Sequence, residues 1–108
     1  MGVSAHNSAY SPIIEALRSY EPERIYLFGS HARNEADTLS DIDLIVIKKT
    51  NLPFLERLRE IQRYLPQDAG SVDILVYTPE ELDDMQRRGN AFGELIQEEA
   101  QLIYDRQA

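Results

Sequence analysis

The chain contains no cysteine and only two histidines among its 108 residues. Without thiols there is no disulfide, no thiolate nucleophile and no cysteine zinc site, and His6 with His31 cannot complete a zinc quartet. Positive charge is also scarce: 11 Lys and Arg stand against 19 Asp and Glu, a net charge of −8. Attraction to a phosphate backbone depends on a surplus of Lys and Arg, so no direct nucleic-acid binding is expected; a basic partner or bound cations fit better. No apolar run approaches the roughly 20 residues of a membrane helix, the densest being Leu44 to Ile47, so no membrane association is expected. The segment Met1 to His6 shows neither a secretory leader nor a myristoylation pattern. A cytoplasmic location is the resulting expectation.

An apolar content of 43% supplies a core for one domain. Residues 1–10, rich in Ser and Asn, read as a flexible start, and residues 11–108 as a single domain. Ser11 and Pro12 are placed as N-cap and first helical residue, with Ile13, Ile14, Leu17 and Tyr20 on one helical face. Arg24 to Phe28 is β-branched and aromatic, stops at Gly29, and is predicted as a strand. A helical turn from Ser30 to about Glu35 and a polar loop from Ala36 to Ser40 follow. Asp41 to Ile47 is a second strand, apolar on both faces toward its end and therefore central. Phe54, Leu55, Leu58, Ile61 and Leu65 mark an amphipathic helix, ended by Pro66 and Gly70. Val72 to Tyr77 is a third strand. Thr78, Pro79 and Glu81 form a capping box whose helix stops at Gly89. A last helix around Phe92, Leu95 and Ile96 and an edge strand from Gln101 to Tyr104 complete an α/β chain of the α+β kind, a mixed β-sheet flanked by helices.

Three features share a chemistry. Asp41 and Asp43 are two apart in a strand and project from one face, with Cα atoms about 6.6 Å apart. Asp73 lies between Val72 and Ile74 in a strand that reads as buried, where an ionised carboxylate needs a partner or a metal. Carboxylates on adjoining strands repel one another, and hard divalent cations with oxygen ligands relieve that repulsion. Two Mg²⁺ ions would clamp the attacking and leaving oxygens of a phosphoryl displacement. Gly29 and Ser30, at a strand-turn-helix junction, offer backbone N–H groups and a hydroxyl to an anion. Each feature also has an ordinary reading: loop capping for the Asp pair, a salt bridge for Asp73, a tight turn for Gly29-Ser30.

Taken together, the run Gly29-Ser30-His31-Ala32-Arg33-Asn34, then Ser40-Asp41-Ile42-Asp43-Leu44, then Val72-Asp73-Ile74 resembles the signature of the minimal nucleotidyltransferases of the DNA polymerase beta superfamily. The resemblance implies the nucleotidyltransferase fold over 11–108. It further implies that Asp41 and Asp43 ligate both Mg²⁺ ions, and that Asp73 ligates the catalytic one and orients or deprotonates an acceptor hydroxyl. Gly29 and Ser30 would then hold the phosphates of the nucleotide, ATP being the expected donor, with Arg33 reaching phosphate too. Asn34 stands where the family pattern commonly has Gly, a mild departure because Asn tolerates the left-handed conformation. His31 stands where Arg is frequent. Many members of the group are paired with a helical HEPN-type ribonuclease toxin, whose tyrosine is thought to receive adenylate, so the resemblance implies an antitoxin acting in a hetero-oligomer. A non-catalytic antitoxin working by occlusion, and a small-molecule nucleotidyltransferase of the antibiotic-modifying kind, are the alternatives.

Other residues read as scaffold. Arg57, Arg59 and Arg63 alternate with Glu56 and Glu60 at helical pair spacing and are assigned to a solvated, salt-bridged face. Lys48 and Lys49 read as a solubilising loop, and Tyr20, Tyr26, Tyr64 and Tyr104 as packing.

Overall fold

Among the described residues the β-branched and aromatic runs become four strands, β1 (Arg24–Phe28), β2 (Ile42–Ile47), β3 (Val72–Tyr77) and β4 (Gln101–Asp105). In this computed structural model the described residues are 7–29, 32, 41–68 and 70–107. The helices are α1 (Asn7–Arg18), α2 (Phe54–Gln62), α3 (Pro79–Arg87) and α4 (Ala91–Glu99). The sheet order is β3-β2-β1-β4. β1 runs antiparallel to both β2 and β4, whereas β2 and β3 are parallel and joined across α2. This is the expected mixed sheet of an α+β fold, with β2 inside it and β4 at an edge.

Strand alternation sorts the side chains into two cores. Ile25, Leu27, Leu44, Val46, Ile74 and Val76 turn to one face and pack with Leu17 of α1 and Ile61 of α2. Ile45 and Ile47 turn to the other and meet Leu82 of α3 and Ile96 of α4. Residues Leu44 to Ile47 are all buried, because β2 has helices over both faces and strands on both sides. Among the described residues no helix is long and apolar enough to cross a membrane.

Local chemistry accounts for the helix ends. Thr78 accepts from Glu81 N–H at 3.1 Å, Glu81 Oε1 accepts from Thr78 N–H at 2.9 Å, and Pro79 takes the first helical position of α3. Asn90 caps α4 by accepting from Phe92 and Gly93 N–H at 2.9 and 3.1 Å. Gly93 has no room for a side chain, since a Cβ there would lie 2.9 Å from the backbone of Met85. α3 and α4 thus meet at backbone distance.

Four expectations are corrected. α1 opens at Asn7 rather than at a Ser11 cap, and Pro12 lies inside it. Tyr10 joins Ile13, Ile14 and Leu17 at i, i+3, i+4 and i+7 spacing and is buried with them, which offsets the backbone bond that Pro12 cannot make. Leu55 is 67% exposed, so the buried stripe of α2 passes through Leu58 and Ile61 without it. Arg57, assigned to a solvated face, is only 6% exposed. Its guanidinium makes a fork to Glu81 at 2.7 and 3.1 Å and also donates to Leu52 O and Val76 O at 2.8 and 3.2 Å. The pair joins α2 to α3 around the end of β3, where a buried cation is tolerated because its donors are satisfied. Arg59 does pair with Glu56 on the exposed side, at 3.2 Å. Lys48 is also less solvated than expected: it donates to Tyr20 O, and its ammonium lies 4.4 Å from the Tyr20 ring centroid.

Candidate active site

Asp43 and Asp73 occupy the second position of the parallel strands β2 and β3 and face each other in register. Partners on adjacent strands lie about 4.8 Å apart and share a face of the sheet. On the other side of Asp43 stands Phe28, the last residue of β1, followed at once by Gly29. Gly29 has φ +73°, and a Cβ there would lie 2.6 Å from Asp43 Oδ2. The left-handed conformation favours glycine, and any side chain there would displace the Asp43 carboxylate from its place. Gly29 O accepts from Ala32 N–H at 3.1 Å, so the chain turns tightly as it leaves β1.

These carboxylates border a cavity of about 340 Å³. Its wall is otherwise apolar, formed by Phe28, Ile45, Leu75 and Phe92. Phe28 and Phe92 meet edge to face, with ring centroids 5.8 Å apart. The helices α3 and α4 cover the Ile47 end of this sheet face and stop short of the Asp43 end, leaving the cavity open there. A second space of about 380 Å³, lined by Arg24, Tyr26, Asp83 and Gln86, contains none of the candidate carboxylates.

Asp73 is exposed, which corrects the reading of β3 as a fully buried strand. Its burial pattern alternates because β3 is an edge strand whose Asp73 end extends beyond the helical cover. The carboxylate therefore meets water, and its functional claim rests on register with Asp43 rather than on the cost of burial. Asp41 is exposed and lies one residue ahead of β2. Among the described residues no three acidic or histidine side chains are gathered closely enough to hold a metal. The structure thus brings together Asp43, Asp73 and Gly29, with Asp41 adjacent in sequence. Ser30, His31, Arg33 and Asn34, the turn to Glu35 and the loop from Ala36 to Ser40 lie outside the described residues.

The donor set fits a hard divalent cation. Asp43 and Asp73 present oxygen ligands from directly opposed positions, and Gly29 lets the backbone approach them closely. Phe28 and Phe92 were not distinguishable in the sequence as cavity residues. Phe28 reads as one more strand aromatic and Phe92 as one more core residue of α4; only the sheet register and the place where α4 begins bring them to the carboxylates.

The polymerase beta nucleotidyltransferase family model matches residues 11–107, and the chain belongs to that family. It is a minimal nucleotidyltransferase, and its class of reaction is nucleotidyl transfer. A crystal structure from Sulfolobus solfataricus that carries a nucleotidyltransferase name is similar in fold, with a TM-score of 0.63 and 23% identity over 99% of this chain and 94% of that one. No curated protein matches the chain significantly. The family generally employs a nucleoside triphosphate and a divalent metal, in agreement with the oxygen-rich donor set.

Proposed function

We propose that the protein is a Mg²⁺-dependent adenylyltransferase that moves AMP from ATP to a tyrosine hydroxyl of a HEPN-type ribonuclease toxin, acting as its antitoxin in a hetero-oligomer. The observation that carries the reading is the opposed pair Asp43 and Asp73 beside Gly29 at the mouth of the cavity, in a chain of this family. Asp41, Asp43 and Asp73 are the residues that would hold Mg²⁺, which when bound neutralises phosphate charge. Gly29 lets the Asp43 carboxylate lie against the backbone of the turn, and Gly29, Ser30 and Arg33 are the residues that would hold the triphosphate. The acceptor oxygen forms a bond to the α-phosphorus, and the bond from that phosphorus to the bridging oxygen breaks. Pyrophosphate leaves with the electron pair, and the hydroxyl proton passes to the Asp73 carboxylate. A net charge of −8 suits docking on a basic, RNA-cleaving partner.

The test is to incubate the protein with Mg²⁺, its co-purifying partner and each of the four nucleoside triphosphates, and to read intact masses. An increment of one or more adenylates on a partner tyrosine, with ATP alone, is expected. Absence of any increment while the partner is still neutralised would overturn transfer in favour of occlusion; an increment on a small hydroxyl compound only would favour the small-molecule enzyme.

A further inference from the structure

The sheet edge next to Asp73 has an unusual division of partners. Among the described residues β3 pairs with β2 alone. Ile42 N–H donates to Ser71 O and Lys48 N–H to Tyr77 O, each at 3.0 Å. Backbone direction alternates along a strand, so Ser71, Asp73, Leu75 and Tyr77 turn their polar backbone groups toward β2, and Val72, Ile74 and Val76 turn theirs outward. The far end of that outward row is already occupied, because Arg57 Nη1 donates to Val76 O at 3.2 Å. What remains is Val72 and Ile74, one on either side of Asp73. Alongside runs a groove of about 520 Å³ lined by Leu58, Val72 and Ile74, with Gln62 and the Glu56-paired Arg59 also on its wall. Asp73 and Leu75 border both this groove and the cavity on the opposite face, so the edge of β3 is the crest between them.

We propose that this edge docks the acceptor as an extended polypeptide segment of the partner, added beside β3 as a further strand. A row of outward N–H and C=O groups is complementary to extended backbone, and its continuity with the carboxylate cavity places the guest within reach of Asp73. Side-chain alternation then sets the motif. The residue opposite Asp73 shares its face and carries the hydroxyl, whereas its two neighbours fall over Leu58, Val72 and Ile74 and are apolar. The residues beyond return to the face of Asp43 and Asp73, where those carboxylates favour Lys or Arg. That the guest is the partner's acceptor segment rests on the proposed function above; the docking of an extended segment at this edge does not.

The probe is the peptide acetyl-Lys-Val-Tyr-Val-Lys-amide, compared with the same peptide N-methylated at Val, Tyr and Val, which donates no central N–H in either strand direction. Amide hydrogen exchange of the intact protein is expected to slow at Val72 and Ile74 with the first peptide at millimolar concentration and not with the second. With ATP and Mg²⁺, N-methylation is expected to lower adenylate transfer to the tyrosine at least tenfold. Equal transfer to both peptides, or no protection at Val72 and Ile74, overturns edge docking. Protection at these amides in a protein that binds no ATP with Mg²⁺ supports the docking and overturns the nucleotide reading instead.

Discussion

The side chain that Gly29 lacks would overlap Asp43: its Cβ would stand 2.6 Å from Asp43 Oδ2. Gly29→Ala must therefore move a carboxylate as well as strain the backbone. Gly70 provides the control, with φ +80° and nothing within 4 Å of the place a Cβ would take. Both alanine variants are expected to lose about 1–2 kcal/mol to the left-handed conformation. Only Gly29→Ala is expected to weaken ATP and Mg²⁺ binding, by tenfold or more, in calorimetry. Equal binding losses in the two would show that Asp43 does not need the space.

Asp73→Asn is expected to abolish transfer more completely than it weakens nucleotide binding, because Asp73 stands across the strand pair from the Gly29 side of the site. Asp41→Asn and Asp43→Asn are expected to lose both. Binding isotherms and single-turnover transfer on the three folded variants separate the roles; loss of binding by Asp73→Asn equal to that of Asp43→Asn would contradict them.

The Arg57 to Glu81 fork gives the fold an acid limit. Its hydrogen bonds hold the Glu81 carboxyl below its ordinary 4.5. Stability from this depression is fully present above 4.5 and is lost as the pH falls through the lower folded value. Glu81→Gln is expected to cost about 1–3 kcal/mol at neutral pH, less than a fully buried pair would, since Glu81 is 44% exposed. Urea unfolding from neutral to acid pH should show the variant's deficit shrinking as the wild type acidifies.

At alkaline pH the sensitive group is Tyr20. Burial, and then the nearby Glu60 charge, push its phenol from 10.0 up to about 12. The raised value contributes stability below pH 10 that is lost as the pH climbs toward 12. Its hydroxyl makes no hydrogen bond of ordinary length and angle among the described residues, and any interaction with the Glu60 carboxylate is the smallest of the causes that raise it. Tyr20→Phe is expected to keep or raise neutral stability by up to about 1 kcal/mol and to flatten the alkaline decline. A loss above that size in denaturant unfolding would show that the hydroxyl is bonded.

Local patterns carried most of the architecture. The Thr78 capping box and the β-branched runs of β1 and β3 are readable because neighbours in sequence decide them. Arg57 defeats such reading because its spacing to Glu56 and Glu60 is that of a surface helix; its true partner, Glu81, is 24 residues away across β3. The carboxylates were legible as residue types, but the register that opposes Asp43 to Asp73, and the exposure of Asp73, are tertiary facts. The phenyl wall of Phe28 and Phe92 depends on where α4 begins, which no short motif encodes.

Along one face of β2, Asp43, Ile45 and Ile47 follow one another at intervals of about 6.6 Å. Ile45 and Ile47 are 2% and 0% exposed, clamped by Leu82 and Ile96, while Asp43 overhangs toward the cavity. The strand is held by β1 and β3 along its length, with a dry joint at the Ile47 end and a charged, wetter end at Asp43. Opening should therefore be easiest where burial ends, and amide exchange is expected to grade from slow at Ile47 to faster at Asp43 within a single strand.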